Sequence, residues 1–519
     1  MRRKSLILIL ALAALLVAWG PVSAKMFEVG GKPASVQGYI SQSIGHSLEE
    51  GDYYDIENDF NQALMNLFVE GDVKLSGDLS FYAAGMLTVD WIYDLQHNDV
   101  SWKAKRFNES RDALYIDDEW WQLVKEAHLT WSPGDFTFRI GKQVVRWGEL
   151  FALAVNDVIM PNDYTHGLAE VELETLYIPI PLINVSYGTF LDSGPFQTLD
   201  IQFIFNPNAD FIPSPYGADG NVYGNDRAGI WAADVVAGGE RLGRLDISID
   251  DDPDSFDSDY FEYGVKISTI TQRGIFSLMG FYGINNSPAL GYDLTNVVPF
   301  YSDDTFLPDF SDYAVYDTDG NPVANYAMKG KYVDEKFVGA SWSTELPFSS
   351  ALLGNVKPML DVEVSYRFDD AFLVMDWATF TLSQLETDKL VAGVGIVWKM
   401  KVPWQKGYIS LIANAAYNQY DDKDVVRMVN AEQVVAIEES SWDYFFDIST
   451  TYKKWDINPG VWVYAISDWD MSQIAPYIIW TPNSRWSCAL TGTFFEGRKH
   501  SAWGVGNKDS ISLKATRLF

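Results

Sequence analysis

The sequence predicts an all-β protein: a transmembrane antiparallel β-barrel of about 16 strands, with roughly 14 to 18 compatible with the length of the chain. Three observations support this fold class. Hydrophobic and polar residues alternate in many short stretches, as they do when one face of a strand meets lipid and the other meets a lumen. Aromatic residues make up 15% of the chain, with 19 Trp, 28 Tyr and 30 Phe, which is enough for two interfacial girdles. Very short turns alternate with long polar loops, as periplasmic turns alternate with extracellular loops in such barrels.

The N-terminal residues follow the order of a secretory signal peptide. Residues 2–4 are basic, residues 5–19 are mostly apolar, and residues 22–24 read Val-Ser-Ala, which suits a signal peptidase. We therefore expect residues 1–24 to be removed, and residues 25–519 to form a single barrel domain. A retained membrane anchor is the alternative interpretation, and the short apolar run argues against it.

Composition excludes several classes of protein. The formal net charge is −33, so a nucleic acid would be repelled and is not expected as a partner. The single cysteine, Cys488, excludes an intramolecular disulfide and a cysteine-rich metal site. After the signal peptide no stretch of about 18 uninterrupted apolar residues occurs, so we expect no membrane-spanning helix.

Residues 36–43 alternate loosely, and the chain that follows them is typical of strand hairpins. Residues 63–75 and 79–93 flank a Ser-Gly-Asp turn, and residues 121–131 and 136–146 flank a Ser-Pro-Gly-Asp turn. In the second hairpin one face is mostly apolar and suits lipid, while the other face is polar and suits a lumen. The opposite parity of Arg146 lets it join the lumen face only if the strand bulges or ends just before the following tryptophan. The side chains predicted to line the pore are Glu126, His128, Arg139, Gln143 and, under that condition, Arg146. In a soluble sandwich, bulk water would select the same polar face, so this hairpin does not decide between the two classes.

Strand alternation lapses between Gly148 and Tyr187. Residues 150–160 are apolar on most sides, and Pro179 and Pro181 argue against a central strand because neither can donate to a ladder. A long stretch without strand character is functional or disordered, and its apolar content argues against disorder. We therefore predict that residues 148–187 fold into the barrel as a constriction that favours hydrophobic cargo over water and small ions. The side chains predicted to form it are Trp147, Leu150, Phe151, Leu153, Val155, Ile159 and Met160.

Strand patterns return after this region and continue to the C-terminus. The predicted strands are 199–205, 261–270, 274–282, 337–345, 359–368, 389–401, 407–420, 441–454, 461–467, 472–480, 486–495 and 510–519. The clearest alternation places Trp442, Tyr444, Phe446 and Ile448 on one face, which is the girdle pattern of a lipid-facing strand. The last strand ends in Phe519, which resembles the signal read by the barrel-assembly machinery of Gram-negative outer membranes. That machinery and outer-membrane lipid are therefore predicted partners.

One string of residues resembles a known family. Residues 139–149 read RIGKQVVRWGE, and Pro-Asn-Asp at 161–163 and Pro-Ile-Pro at 179–181 follow. These are similar to an outer-membrane barrel family catalogued only as a domain of unknown function, whose members are often encoded beside RND-type, MMPL-like exporters. The resemblance implies a porin-like channel for hydrophobic or lipid-like cargo that works with such an exporter. The residues that carry the motif are Gly141, Gln143, Trp147, Gly148, Glu149, Pro161 and Asp163.

Catalytic and metal-binding motifs are weak. The five histidines are scattered without ligand spacing, and His166 near Asp163 is better explained as part of a loop turn. An acidic run could gather calcium, but it lacks the ordered spacing of a calcium loop and is better explained as a solvated loop. Its residues are Asp250, Asp251, Asp252, Asp254, Asp257 and Asp259. No Gly-x-Ser-x-Gly, HExxH or P-loop string occurs, so we expect no enzyme, no cofactor and no metal site.

Two functions therefore remain open from the sequence. The first is an outer-membrane porin-like channel that passes small or hydrophobic molecules. The second is a non-transport surface barrel whose acidic outer loops bind partners or divalent ions. A receptor with an internal plug is disfavoured because no plug domain precedes the first strands.

Overall fold

The computed structural model describes residues 25–48, 60–92, 123–153, 155–161, 177–191, 194–207, 236–237, 240–241, 244–250, 256–285, 289–292, 315–316, 322–323, 325–347, 356–376, 381–401, 407–422, 439–452, 455–467, 471–496 and 509–519. The signal peptide, Asp163, His166 and the acidic residues 251, 252 and 254 lie outside these ranges.

Eighteen antiparallel strands form the wall of a closed barrel. In chain order they are β1 Lys32–Ser47, β2 Leu64–Lys74, β3 Leu79–Asp90, β4 Val124–Trp131, β5 Phe136–Gln143, β6 Ile180–Phe190, β7 Thr198–Asn206, β8 Glu262–Thr271, β9 Gly274–Ile284, β10 Asp334–Glu345, β11 Met359–Asp376, β12 Thr381–Lys401, β13 Tyr408–Tyr420, β14 Ser440–Thr450, β15 Ile457–Ile466, β16 Met471–Asn483, β17 Trp486–Glu496 and β18 Ser510–Leu518. The predicted antiparallel barrel is thereby confirmed, with 18 strands where the sequence predicted about 16.

The barrel closes where β1 pairs with β18. The pairing runs from Tyr39 opposite Leu518 to Ser47 opposite Ser510, while the other edge of β1 pairs with β2. Closure satisfies the backbone groups of both terminal strands, which is the condition for a sheet to cross a bilayer. Phe519 adds two more backbone hydrogen bonds at this seam, donating to the carbonyl of Gly38 and accepting from its N–H, at 2.9 and 3.0 Å.

The two rims of the barrel differ in the length of their connections. On one rim β2–β3, β4–β5, β8–β9 and β16–β17 are joined by only a few residues. On the other rim the chain between β3 and β4, between β7 and β8, and between β9 and β10 is much longer. This matches the asymmetry predicted from the sequence, with short periplasmic turns and long extracellular loops.

Side chains of the wall alternate between an apolar outer face and a mostly polar inner face. In β14, Trp442, Tyr444, Phe446 and Ile448 are exposed on the outside, as predicted. In β11, Val362 and Val364 are exposed outward, so Glu363 between them points into the barrel. Neighbouring strands repeat this parity, since residues opposite each other in the register share a face.

β6 is the wall strand that the sequence did not predict. Its second residue, Pro181, lies opposite Lys142 of β5, but pairing with β7 begins only at Ile183 opposite Phe205. Pro181 therefore lies at the start of the strand and has a pairing partner on one side only. A missing N–H costs little at such a position. The predicted constriction at 148–187 is wrong at its C-terminal bound, because residues 180–187 belong to the wall.

Smaller elements accompany the barrel. Lys25–Val29 pairs with the start of β1 through a turn at Gly30 and Gly31, both with positive φ. Phe60–Gln62 extends β2 beyond a register shift. Arg244–Asp250, Asn325–Lys331 and Ala289–Tyr292 form a three-stranded sheet, and two ribbons pair Val236–Ala237 with Glu240–Arg241 and Val315–Tyr316 with Pro322–Val323. Over the described ranges, no helix has the length and apolarity needed to cross a membrane.

Candidate functional site

The candidate site is the inward segment, which comprises residues 144–161 apart from the undescribed residue 154. It leaves the wall at the end of β5, runs inside the barrel and returns toward β6. The outgoing limb is 144–150, the tip is 151–153 and the return limb is 155–161. The clusters around it include inward-facing side chains from β6 to β15, so the predicted inward-folded segment is confirmed.

Gln143, the last residue of β5, holds the root of this segment. It is fully buried, its Nε2 donates to the carbonyl oxygens of Leu182 at 3.1 Å and Gly141 at 3.2 Å, and its Oε1 accepts from Asn184 Nδ2 at 3.2 Å. These bonds satisfy backbone groups where the ladder of β5 stops. Gln143 was predicted to line the pore, but the structure places it inside the wall as an anchor.

Gly141 stands where no other residue fits. Its φ is +132°, and an added Cβ would lie 2.8 Å from the Cα of His128 on β4. A side chain here would both strain the backbone and push β4 and β5 apart. The glycine of the Gly-Lys-Gln motif is therefore required by the close pairing of β4 with β5.

A chain of polar side chains links the root to Trp147. The indole Nε1 of Trp147 donates to Gln202 Oε1 at 2.9 Å, and Gln202 Nε2 donates to Asn184 Oδ1 at 3.2 Å. Trp147 itself is fully buried, and an added Cβ at Gly264 of β8 would lie 2.5 Å from its ring. The indole therefore fills a notch in the wall that glycine leaves open.

Lys266 of β8 holds the outgoing limb from the wall side. Its Nζ donates to the carbonyl oxygen of Trp147 at 3.1 Å and lies 3.6 Å from Glu149 Oε1. The lysine thus satisfies a backbone carbonyl and neutralises an acidic side chain at once. Gly148, between these two residues, packs against the Cβ of Asp157 on the return limb.

Glu363 of β11 fixes both limbs of the segment. Its Oε1 accepts the backbone N–H groups of Glu149 and of Leu150, the latter at 3.0 Å, and its Oε2 accepts that of Asn156 at 3.2 Å. Hydrogen bonds from N–H groups to a carboxylate are about twice as strong as those between neutral partners. One inward-facing side chain therefore takes three backbone donors that strand pairing does not satisfy.

Neighbouring polar groups complete the attachment of the return limb. The carbonyl oxygen of Val155 accepts from Ser365 Oγ at 3.1 Å and from a terminal nitrogen of Arg367 at 3.4 Å. Asn156 Nδ2 donates to the carbonyl oxygen of Ala340 on β10 at 3.2 Å. In the return limb, a backbone N–H group and a backbone carbonyl group are therefore both hydrogen-bonded to side chains of the wall.

The tip is held by apolar packing against β12 and β13. Leu150, Leu153 and Val155 pack with Val391 and Ala416. Two glycines of β12 make room for them, since an added Cβ at Gly393 or Gly395 would lie 2.5 or 2.6 Å from a methyl group of Leu150. When the Asn414 amide is oriented so that its nitrogen and its oxygen both have hydrogen-bond partners, Oδ1 accepts from the N–H groups of Phe151 and Ala152.

The two limbs are also joined to each other. Arg146 Nε donates to Asp157 Oδ2 at 2.6 Å, and Asp157 Oδ1 accepts from the backbone N–H of Trp147 at 3.3 Å. The guanidinium lies 4.8 Å from the ring centre of Tyr177. Since β5 ends at Gln143, Arg146 reaches the lumen as part of the segment, which meets the condition stated from the sequence.

Most of the predicted constriction side chains anchor the segment. Trp147, Leu150, Leu153, Val155, Ile159 and Met160 are all at most 6% exposed, whereas Phe151 is 59% exposed. The open face of the segment carries Arg146, Glu149, Phe151 and Ala152. Burying the apolar side chains against the wall removes them from water, and this leaves a mixed surface toward the lumen.

The remaining predicted pore-lining residues lie on β4 and β5. His128 stacks on Tyr82 with 5.1 Å between ring centres, and its Nε2 lies 4.0 Å from Glu126 Oε2. Glu126 Oε2 also accepts from the backbone N–H of Val144 at 3.2 Å, so it caps the start of the segment. Arg139 points inward between the outward-facing Phe138 and Ile140.

The sequence did not identify the wall residues that hold the segment, chiefly Lys266, Glu363 and Arg367. A signal existed in the parity of predicted strand 359–368, where Asp361, Glu363, Ser365 and Arg367 form a polar face. Alternation shows that these side chains share one face of the strand, but it does not show which part of the chain they contact.

In the described part of the chain, no group of three or more His, Cys, Asp or Glu side chains is placed to hold an ion. Asp257 accepts from the backbone N–H of Asp259 at 3.1 Å and so caps a short 3-10 turn, Ser258–Tyr260.

The chain is similar to OccAB1 of Acinetobacter baumannii, with 9% identity and a TM-score of 0.46 over 96% of this chain and 98% of that chain. It is also similar to OpdK of Pseudomonas aeruginosa with vanillate, with 8% identity and a TM-score of 0.43 over 94% and 98%, and to OprB of Pseudomonas putida, with 11% identity and a TM-score of 0.39 over 94% and 94%. No curated protein matches.

The family comparison agrees with the likeness seen in residues 139–149. The family described as "Protein of unknown function (DUF1302)" matches residues 5–518, which is nearly the whole chain. The chain therefore belongs to the DUF1302 family.

Proposed function

We propose that this protein is an outer-membrane channel of a Gram-negative bacterium whose lumen is narrowed by the inward segment. The observation that carries the proposal is the attachment of residues 144–161 to the inner wall through Glu363, Lys266 and two apolar clusters. A segment held at so many points has a fixed position, and a fixed obstruction in a closed barrel sets the size of the passage.

The path for cargo follows from where the segment lies. The clusters that hold it reach from β6 to β15, so the passage runs between the open face of the segment and the wall made by β16 to β18 and β1 to β4. Tyr82, His128 and Glu70 face this passage from β2 to β4. A lining of aromatic and polar groups suits small solutes that are partly apolar.

The cargo class that we propose is small hydrophobic or lipid-like molecules. Phe151 supports it, because this side chain is 59% exposed at the tip and lies 5.7 Å, centre to centre, from the ring of Phe445 on β14. An exposed aromatic ring that packs on a partly buried one in a lumen offers an apolar surface that a hydrophobic solute contacts more favourably than water does. The family resemblance adds an RND-type exporter as the partner that would deliver such cargo.

Assembly in the membrane is proposed to depend on lipid and on the barrel-assembly machinery. The outer face supplies a belt of exposed apolar side chains, and the last strand ends with Phe519 paired to Gly38 at the seam. Such a belt is stable only where lipid covers it.

A second candidate function is a non-transport surface barrel whose acidic loops bind partners or divalent ions. The formal charge of −33 favours it, since acidic side chains attract divalent cations. Calcium-dependent protection of loops in a barrel that does not conduct would support this alternative.

The test is reconstitution of the purified protein. A folded barrel is expected to migrate differently on a gel before and after heating, and to form ion-conducting channels in planar bilayers. Replacing residues 150–160 with a short Gly-Ser linker should raise the conductance while the heat-dependent mobility is retained. Unchanged conductance in that folded variant would show that the segment does not limit the passage, and a folded wild-type protein that never conducts would exclude the channel.

A further inference from the structure

Arg139 stands out among the cationic side chains near the inward segment. It lies on the inward face of β5, opposite Thr130 of β4 and Asn184 of β6. Its outward neighbour Ile140 is 54% exposed, which fixes the parity of the strand and directs the guanidinium into the barrel. The residue is half-buried.

Among the described residues, three cations that belong to or hold the inward segment have carboxylate partners. Those pairs are Arg146–Asp157 at 2.6 Å, Lys266–Glu149 at 3.6 Å and Arg367–Glu335 at 3.8 Å. For Arg139, the described residues supply no carboxylate oxygen within 4.0 Å, and its Nε is shielded from solvent without a hydrogen-bond partner.

The oxygen atoms around Arg139 are already engaged elsewhere. Asn184 Oδ1 accepts from Gln202, and the hydroxyl of Thr130 lies 3.4 Å from His128 Nδ1. Glu126 attracts the guanidinium at longer range, but its Oε2 accepts from the backbone at the root of the segment. Within the described part of the chain, these oxygen atoms bond to other groups, and Arg139 Nε has no hydrogen-bond partner.

We propose that Arg139 binds the anionic head group, a carboxylate or phosphate, of an amphiphilic molecule passing through the lumen. This inference rests on the proposed function and narrows its cargo class from hydrophobic molecules to those with a negatively charged head. A guanidinium with free donors in a partly desolvated wall binds a planar carboxylate or a phosphate through paired charge-assisted hydrogen bonds. Among the described residues, Glu126 attracts Arg139 only from beyond ion-pair distance.

Equilibrium binding tests the site without relying on conductance. The folded barrel in non-ionic detergent, verified by its heat-dependent mobility, is titrated calorimetrically with octanoate, with octyltrimethylammonium as a cation with a tail of similar length, and with inorganic phosphate. The variants are Arg139→Gln, Arg139→Lys and, as a matched loss of one positive charge at an exposed rim position, Lys74→Gln. The permeability ratio of chloride to potassium is measured on the same proteins in bilayers.

We expect octanoate to bind the wild type and Lys74→Gln equally and to bind Arg139→Gln at least about tenfold more weakly. Arg139→Lys should retain the anion preference but lose part of the affinity, because an ammonium cannot make the paired contact. Equal binding of octanoate to Arg139→Gln and wild type, or of octyltrimethylammonium and octanoate to wild type, would overturn the proposal. Phosphate that binds as tightly as octanoate would overturn the assignment to an amphiphile. Arg139-dependent binding in a barrel that does not conduct would refute the channel but leave the anion site standing.

Discussion

The carboxylate of Glu363 accepts a hydrogen bond at 3.0 Å from the backbone N–H of Leu150, a residue 213 positions earlier in the chain. Its two oxygens are divided between the limbs, because Oε1 serves the outgoing limb and Oε2 serves Asn156 on the return limb. One side chain of β11 therefore holds both limbs of the inward segment at once. Changes at this residue are expected to act on the passage more than on the wall.

Glu363→Gln is expected to loosen both limbs. An amide keeps one oxygen but loses the negative charge, and its NH2 group faces a backbone N–H that also donates. Hydrogen bonds to a charged group contribute about 1.5–3 kcal/mol each, so losing them shifts the segment toward detached positions. Single-channel recordings should show higher or more variable conductance than the wild type.

The control for this change is Glu345→Gln, which removes a carboxylate from the exposed end of β10, where it pairs with Lys357 at 3.2 Å. An exposed pair contributes little, so conductance should stay at the wild-type level. Steady conductance in a correctly folded Glu363→Gln barrel would contradict the anchoring role.

Phe151→Ala and Leu150→Ala are expected to separate obstruction from anchoring. Phe151 is 59% exposed, so its truncation should widen the passage with little loss of stability. Leu150 is 3% exposed in the cluster with Val391, so its truncation removes packing worth about 2–5 kcal/mol and should increase gating noise. Conductance traces and the temperature of the heat-dependent mobility shift check both. If the two variants behave alike, the division into exposed and anchoring side chains is wrong.

A charged substitution on the outer face is expected to destabilise the barrel more when it lies closer to the bilayer centre. Leu513 of β18 is 55% exposed on the outside, between inward-facing Ser512 and Lys514. Leu513→Arg should destabilise the barrel in lipid by about 2–4 kcal/mol if the residue lies near the bilayer centre, while Leu75→Arg in a rim turn should cost about 0–1 kcal/mol. Equilibrium unfolding in lipid vesicles measures the difference. Equal costs would mean that this face does not lie in the hydrocarbon core.

Alternation was sufficient to predict the wall because each strand meets lipid on one side and the lumen on the other. The strand that was not predicted, β6, begins Ile-Pro-Leu, and Pro181 argued against a central strand. In the structure, pairing with β7 begins two residues after this proline, at Ile183. Only the pairing partners reveal that such a proline costs little, and pairing is not visible in one sequence.

The candidate site was predictable in position but not in detail. The lapse of alternation after Gln143 located the inward segment, since apolar residues without strand character need a place inside. That Trp147 would be buried and Phe151 exposed depended on notches at Gly264, Gly393 and Gly395, which belong to distant strands. Long-range fit of this kind leaves no local pattern.

Gly393→Val is expected to displace the tip of the inward segment while the barrel still assembles. An added Cβ at Gly393 would lie 2.5 Å from Leu150 Cδ1 and 2.7 Å from Val155 Cγ2, so the clash falls on the segment. Valine suits a strand, and the wall itself should tolerate it. Conductance should rise, while Gly280→Val on the outer face of β9, where an added Cβ has its nearest neighbour at 3.7 Å, should leave conductance unchanged.

Combining Gly393→Val with Glu363→Gln tests whether the two changes act on one element. If both detach the same tip, the second change has little left to release, and the rise in conductance of the double variant should fall short of the sum of the single rises. A fully additive rise would mean that Glu363 and the cleft at Gly393 restrain different parts of the lumen, and the inward segment would then not be a single rigid obstruction.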